Sequence, residues 1–354
     1  MPGGVVSPSV VVDISSMPAG DVLEQGTIPT ADTTPLQEVK TDGSMIFWST
    51  GVDADPDTAP DLWAALPGAA PKRIFANPNR DSSLLPIAGW GSRYAFVESN
   101  PGRYGLNGWR LWYLDHAGAT PVLLDSSDGP SPLPLLAMDA DRLAWVAFHG
   151  PAGHVTSELR TVTLPDLTKR IVERSASTKL QYVFPSLLGS ELAYGVEDPL
   201  TGAEHVDLLD LGTTGAIARQ LDTSGDATMP VLTPDSVLWK EGTNIYDAGQ
   251  LVRDPLPDGP ATELAFGTWS GVLYPSAGPR FATAWGSDPT QFYVYDLTVN
   301  QAVLLEGFPA TGPLNDVRPY VAGDLLVWSR GVSTFDAQGQ PTQPLELHWA
   351  GLAP

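Results

Sequence analysis

The chain has 354 residues, an ordinary hydrophobic share of 42%, no cysteine and a formal net charge of −22. Disulfides and thiolate metal sites are excluded outright, and an acidic excess of this size repels phosphate backbones, so nucleic acid is not an expected partner. No apolar run approaches the ~18 residues that a membrane helix needs, and none is expected to cross a bilayer.

The start, MPGGVVSPSVVVDISS, carries no basic n-region and no long apolar h-region. The location expected is extracellular or periplasmic, with a leader already removed, and the cytoplasm is the alternative. Residues 7–15, SPSVVVDIS, are rich in β-formers, and residues 16–35 read as a Thr-, Pro- and Gly-rich connector.

From residue 36 a pattern repeats. An apolar strand ending in a large aromatic recurs as DGSMIFWST (42–50), GSRYAFVES (91–99), DRLAWVAFHG (141–150), GSELAYGVE (189–197), PDSVLWKEG (234–242) and GDLLVWSRG (323–331). The aromatics Trp48, Phe96, Trp145 and Tyr194 lie 48–49 residues apart, and Trp239 follows after 45. Trp328 comes 89 later, two periods on, and GPRFATAWG at 278–286 supplies the copy between.

Each unit then has an alternating run such as DLWAAL (61–66), RLWYLD (110–115), ELRTVTL (158–164), HVDLLDL (205–211), QFYVYDL (291–297) or LELHWAG (345–351). A short run follows, and a Pro-marked apolar run precedes the aromatic strand at Pro86, Pro134, Pro185, Pro230 and Pro319. Period-two alternation with dense turn residues gives β-strands. Four strands in each 45–49 residues give propeller blades.

The fold expected is therefore all-β: a seven-bladed β-propeller of four-stranded antiparallel blades, with six or eight blades as the neighbouring counts. The seventh unit lacks a fourth strand, and Val10–Val12 is expected to supply it. The division is residues 1–35 for closing strand and connector, and 36–354 for the propeller. The aromatic positions read as packing between blades rather than as ligand contacts. The fifth unit, with a poor third strand around residue 250, is the weakest.

TPDSVLW (233–239), TDGSMIFW (41–48), FYVYDLTVN (292–300) and LLDLGTTG (208–215) resemble the TolB-like and WD-like propeller repeats of bacteria. The resemblance spans roughly residues 36–352. It implies a fold and carries over no catalytic residue, because its motif residues are structural. It departs from the TolB pattern in blade count and in having no room before the propeller for an α/β domain.

Ligands are expected on the face bearing the loops between second and third strands and between blades. In DADPDTAPD, residues 53–61, Asp53, Asp55, Asp57 and Asp61 occupy positions 1, 3, 5 and 9 of an EF-hand-like loop, so Ca²⁺ is the candidate cofactor. Position 6 is Thr58 and position 12 is Ala64, neither of which fits that loop, and a solvated acidic loop is the competing reading. In NPGRYGLNGW, residues 100–109, Arg103, Tyr104, Asn107 and Trp109 could stack on a sugar or peptide, or Tyr104 and Trp109 could fold onto blade two. Arg80, Asp81, Tyr182, Trp269, Asp316 and Arg318 are expected around the channel mouth. His149 and His154 share one loop without a third His at motif spacing.

No Gly-x-Ser-x-Gly elbow, P-loop or His-Glu-x-x-His is present. The function expected is a monomeric, non-catalytic binding module that recognises protein or glycan through its loop face. The alternatives are a polysaccharide lyase or glycoside hydrolase, using groups such as His149, His154, Tyr182 and Arg318, and an assembly component that pairs through a blade edge.

Overall fold

The computed structural model describes residues 17, 20–29, 36–50, 60–79, 81–99, 108–129, 131–150, 156–175, 180–198, 200–213, 218–222, 225–242, 249–257, 259, 261–264, 273–285, 292–299, 301–305, 319–330 and 346–354. These residues form seven four-stranded antiparallel sheets. Six of the sheets are built from four consecutive strands and are blades 1 to 6 in chain order, within residues 36–75, 83–127, 135–174, 181–220, 227–264 and 273–305; blade 7 joins three strands within residues 320–352 to Val22–Pro29. The innermost strands lie side by side around a ring, and the ring closes from blade 7 back to blade 1. The protein is a seven-bladed β-propeller.

Blade 5 is complete: Gln250–Pro255 is its third strand and Thr262–Leu264 its fourth. Alternation of large apolar residues on both faces builds the core, because each sheet is covered by a blade on either side. Trp48, Phe96, Trp145, Tyr194 and Trp239 are each at most 2% exposed and fill the wedges between blades. Blade 6 has Thr283 at this position. Its hydroxyl is satisfied by Ser276 Oγ at 2.7 Å and by the Pro319 carbonyl at 3.2 Å, so a polar group there costs little.

The recurrent prolines have a definite place. Pro86, Pro185 and Pro230, with Pro275 in addition, each lie inside a bulge of an innermost strand, where register shifts between Leu84 and Ile87, Val183 and Ser186, Thr228 and Val231, and Leu273 and Ser276, whereas Pro134 and Pro319 stand just before Leu135–Met138 and Tyr320–Ala322, whose ladders are regular. Proline cannot donate to a ladder, so a bulge is where a strand tolerates it. Nearby backbone N–H groups then donate to the preceding blade. Ile87 N donates to Glu38 Oε2 at 2.6 Å, Leu232 N to Ser186 Oγ at 2.9 Å, and Val321 N to Ser276 Oγ at 2.9 Å.

The Asp-bearing turns join blades too. Asp42 Oδ1 accepts from Ser44 N and Met45 N, both at 2.8 Å, while Oδ2 takes the Gly91 N–H of the next blade. On the same face Arg93 Nη1 donates to Ala140 O at 2.8 Å, and Arg142 Nη1 to Gly189 O at 2.7 Å.

Closure corrects one expectation. The outer strand of blade 7 is Val22–Pro29, paired with Glu346–Leu352, and not Val10–Val12, which lies outside the described residues. Its fit is local. A Cβ at Gly26 would stand 3.0 Å from the Trp349 ring, so any larger residue would require the ring to give way by a few tenths of an ångström. Ile28 is fully buried against Trp349 and Leu347. At the start of the strand, Arg280 Nη2 bonds Asp21 Oδ1 and Asp296 Oδ2, each at 2.7 Å, and Ala353 N donates to Asp21 O at 2.9 Å. Arg280→Met strands two mostly buried carboxylates and is expected to cost about 2–3 kcal/mol in urea denaturation. Deleting residues 1–29 bares the last blade's edge and is expected to produce oligomers on size-exclusion chromatography.

Candidate functional site

The loop face carries the start of each third strand and the end of each fourth. Across blades 2 to 5 three ionisable clusters sit there, one at each blade interface.

Between blades 2 and 3, Arg160 is a hub. It lies on Thr156–Thr163, directly opposite Trp145. Its Nη1 bonds Asp125 Oδ2 at 2.6 Å, and its Nε and Nη2 bond Glu158 Oε2 at 2.9 and 2.6 Å. Arg174 Nε takes the other Glu158 oxygen at 2.6 Å, and Trp145 Nε1 donates to Asp125 at 2.8 Å. Burial works against the Glu158 carboxylate, but its bonds to Arg160 and Arg174 outweigh it and hold the group below the usual carboxylate range. Arg160 Nη2 also lies 3.0 Å from His149 Nε2. A guanidinium has no acceptor, so Nε2 must accept and the ring proton belongs on Nδ1. The imidazole nitrogen that could take a substrate proton is thereby occupied.

Between blades 3 and 4 the same positions carry different chemistry. Asp207 stands opposite Tyr194 as Arg160 stands opposite Trp145, and Glu173 pairs with Leu159 as Asp125 pairs with Leu111. An acid–base pair becomes two acids. Burial pushes both carboxyls up, and Asp207 adds to the effect on Glu173. His205 Nε2, 3.6 Å from Asp207 Oδ1, pulls the other way. Tyr182 packs edge-on against Tyr194, with ring centroids 5.5 Å apart, and its N–H donates to Ser157 Oγ at 2.7 Å. Burial, with Glu173 and Asp207, pushes the Tyr182 phenol up to about 12. At neutral pH it is a hydrogen-bond donor and not a base.

Between blades 4 and 5, Glu197 and Glu204 are direct cross-strand partners, and Glu204 also bridges to Asp226. Glu204 is 4% exposed, and its Oε2 is buried without a hydrogen-bond partner. Lys240, opposite Thr228, is fully buried. Burial pushes up both Glu197 and Glu204; for Glu204 the charges of Glu197 and Asp226 add to this, and Thr228 and Lys240 oppose it.

Of the residues singled out from sequence, Arg80, Arg103, Tyr104, Asn107, Trp269, Asp316, Arg318, His154, Asp53, Asp55 and Asp57 lie outside the described residues. Trp109 is 2% exposed and opens the third strand of blade 2, its Nε1 donating to Ser131 Oγ at 3.4 Å, so its ring is packing. Asp61 is 8% exposed and committed to the fold: Oδ1 accepts from Asn77 N at 3.0 Å and Oδ2 meets Arg73 at 3.3 Å. Asp81 is exposed. Tyr182 and His149 do reach the loop face, at adjacent interfaces. The sequence reading passed over Arg160, Glu158 and Glu204. Their signal was present as charged residues at inward alternating positions of ELRTVTL and AEHVDLL.

No protein-family model matches the chain, and no curated protein matches it. Solved structures do. An oligogalacturonate lyase in complex with manganese is 12% identical with a TM-score of 0.56, covering 88% of this chain and 87% of that one. The acylaminoacyl peptidase of Pyrococcus horikoshii is 10% identical with a TM-score of 0.57; 89% of this chain matches 50% of that one. TolB from Acinetobacter baumannii is 14% identical with a TM-score of 0.49, over 88% of this chain and 78% of that one. These likenesses are of fold alone, and the resemblance to TolB stands at that level.

Arg160→Met removes the cation from Asp125, which keeps only Trp145 as a side-chain donor, and leaves Glu158 to Arg174 alone; it is expected to lower unfolding free energy by about 3 kcal/mol. The pH profile follows from the carboxyls. Glu173, Glu197, Glu204 and Asp207 bind protons more tightly folded than unfolded, so their stabilisation is full below the unfolded value of about 4 and is lost as pH rises through their folded values. Glu158 and Asp296 act oppositely: their stabilisation is present above about pH 4 and is lost as pH falls through their depressed values. The raised carboxyls are therefore expected to lift the urea midpoint as pH falls through their folded values, and the depressed pair to reduce it as pH falls below about 4.

Proposed function

We propose that the chain is a binding module, extracellular or periplasmic, that recognises protein or glycan through the loop face of its propeller and acts as a monomer. The observation that carries this reading is the occupied state of the reactive groups. His149 gives its Nε2 to Arg160, Arg160 is neutralised by Asp125 and Glu158, and Tyr182 keeps its proton. General-base catalysis needs a group that is deprotonated and within reach of a substrate proton. The described residues of the loop face instead offer fixed donors and acceptors, which suit recognition.

The polysaccharide-lyase reading draws on the same corner, where His149 lies beside Arg160 and Arg174 shares Glu158 with Arg160. It requires a substrate carboxylate to draw Arg160 away from Nε2. Calcium remains a proposal for the loop holding Asp53, Asp55 and Asp57, with Asp61 already engaged by Asn77 and Arg73.

The folded protein is to be incubated with neutral and acidic polysaccharides, in calcium and in EDTA. Retention in affinity electrophoresis is read beside new reducing ends and unsaturated-product absorbance. Binding without product is expected. Product formation that His149→Ala abolishes would overturn the non-catalytic reading and establish the lyase.

A further inference from the structure

We propose that the loop face over blades 3 to 5 docks a cationic protein segment, whose Lys and Arg side chains lie among Glu173, Asp207, Glu197, Glu204 and Asp226. The inference rests on the loop face being the binding face, and it names the chemistry of the partner.

Four observations carry it. First, Glu197 and Glu204 face each other directly across two strands, and Glu204 bridges onward to Asp226, which brings three carboxylates together. Like charges placed opposite one another on a sheet are destabilising, so the arrangement needs a reason outside the fold. Second, Glu204 Oε2 is an enclosed acceptor without a partner on a side chain only 4% exposed. Glu197 and Asp226 beside it are half-buried and reach the surface. Third, the equivalent interface one blade earlier shows what a cation does there. Arg160 meets Asp125 at 2.6 Å, whereas in blade 4 the residue in Arg160's register is Asp207, with Glu173 in that of Asp125. Fourth, among the described residues the cations within this region are His205 and Lys240, beside the five acids named, while Arg174 is spent on Glu158.

Partial burial strengthens the attraction for a cation beyond that of the same charges in open water. An acidic glycan is repelled by this surface, and a neutral one leaves its charges unbalanced. A polypeptide that brings ammonium or guanidinium groups supplies what Arg160 supplies internally. Because burial favours the protonated form of Glu173, Glu197, Glu204 and Asp207, a docked cation lowers their proton affinity and releases the protons they hold.

The test is calorimetric titration of the full chain with a short oligo-arginine peptide, in two buffers of different ionisation enthalpy and at two salt concentrations. Neutral dextran and polygalacturonate are the comparison ligands. The total charge of −22 attracts any polycation, so location must be separated from bulk charge. Glu197→Gln with Asp207→Asn is therefore compared with Asp141→Asn and Asp166→Asn, two exposed acids elsewhere on the chain. The expected result is about tenfold weaker binding for the first pair and less than about twofold for the second. Proton release that grows as the pH is lowered is expected in the unsubstituted protein. Should the first pair misfold, Glu204→Gln, which keeps shape and removes charge, is expected to reduce both affinity and proton release. Equal losses in both pairs, or binding without proton release, overturn the inference. Dextran binding with no peptide binding overturns the inference and leaves the binding-module reading standing; no binding by any ligand sinks that reading too.

Discussion

A ring of sheets leaves seven wedge-shaped gaps, and all of them must be filled together. A sheet buried on both faces has no stable arrangement while one neighbour is missing, so each blade depends on the next. That constraint accounts for the aromatic on the second strand of nearly every blade. A Trp or Tyr is large enough to span the outward-widening wedge, and truncating one costs about 3–5 kcal/mol. It also accounts for the hydrogen bonds between blades, which recur at near one repeat length. The Asp42 carboxylate, the Arg93 and Arg142 guanidiniums and the Ser186 and Ser276 hydroxyls all reach across to backbone groups of the adjoining blade.

Within this scaffold one position is free to vary. Between blades 1 and 2 it holds Phe75 packed on Phe96, with rings 4.9 Å apart. Between blades 2 and 3 it holds Asp125 with Arg160, and between blades 3 and 4 Glu173 with Asp207. Between blades 4 and 5, Leu221 packs in the cluster of Trp239 and Val252. The wedge aromatics already hold these sheets together, so the neighbouring pair can be apolar, ionic or like-charged without loss of the fold. Chemistry at a repeat protein's interfaces can therefore diverge one blade at a time.

The sequence revealed the ring because its spacing is strict. The Trp48-to-Tyr194 series, the Pro-marked strands and the alternating third strands fall where they were expected, and even GPRFATAWG, which has Thr283 in place of the aromatic, found its blade. The clasp was misread for a physical reason. Val10–Val12 has the higher β-propensity, but the strand that closes the ring is chosen by fit: Gly26 beneath Trp349 and Asp21 beside Arg280. Trp109 misled in a similar way, since a Gly-rich loop ahead of an aromatic looks like a display surface until the strand that follows is seen to be buried. The ionic clusters were hidden because each is assembled from several strands, its members spread over some 30 to 50 residues, and alternation says which way a charge points but not what it meets.

The closing strand also sets how the molecule bears tension. Val22 pairs with Leu352, and Ala353 N bonds Asp21 O, so residues 21 and 353 leave blade 7 at the same corner. Pulling them apart loads the ladder from one end and opens it rung by rung, as a zipper opens. It does not shear the whole ladder at once. The Arg280 bridge to Asp21 stands at the first rung beside the Ala353–Asp21 backbone bond, and the two share the initial strain. A protein tethered through these two points would yield first at its clasp, and the loss would pass to the neighbouring blades that depend on it.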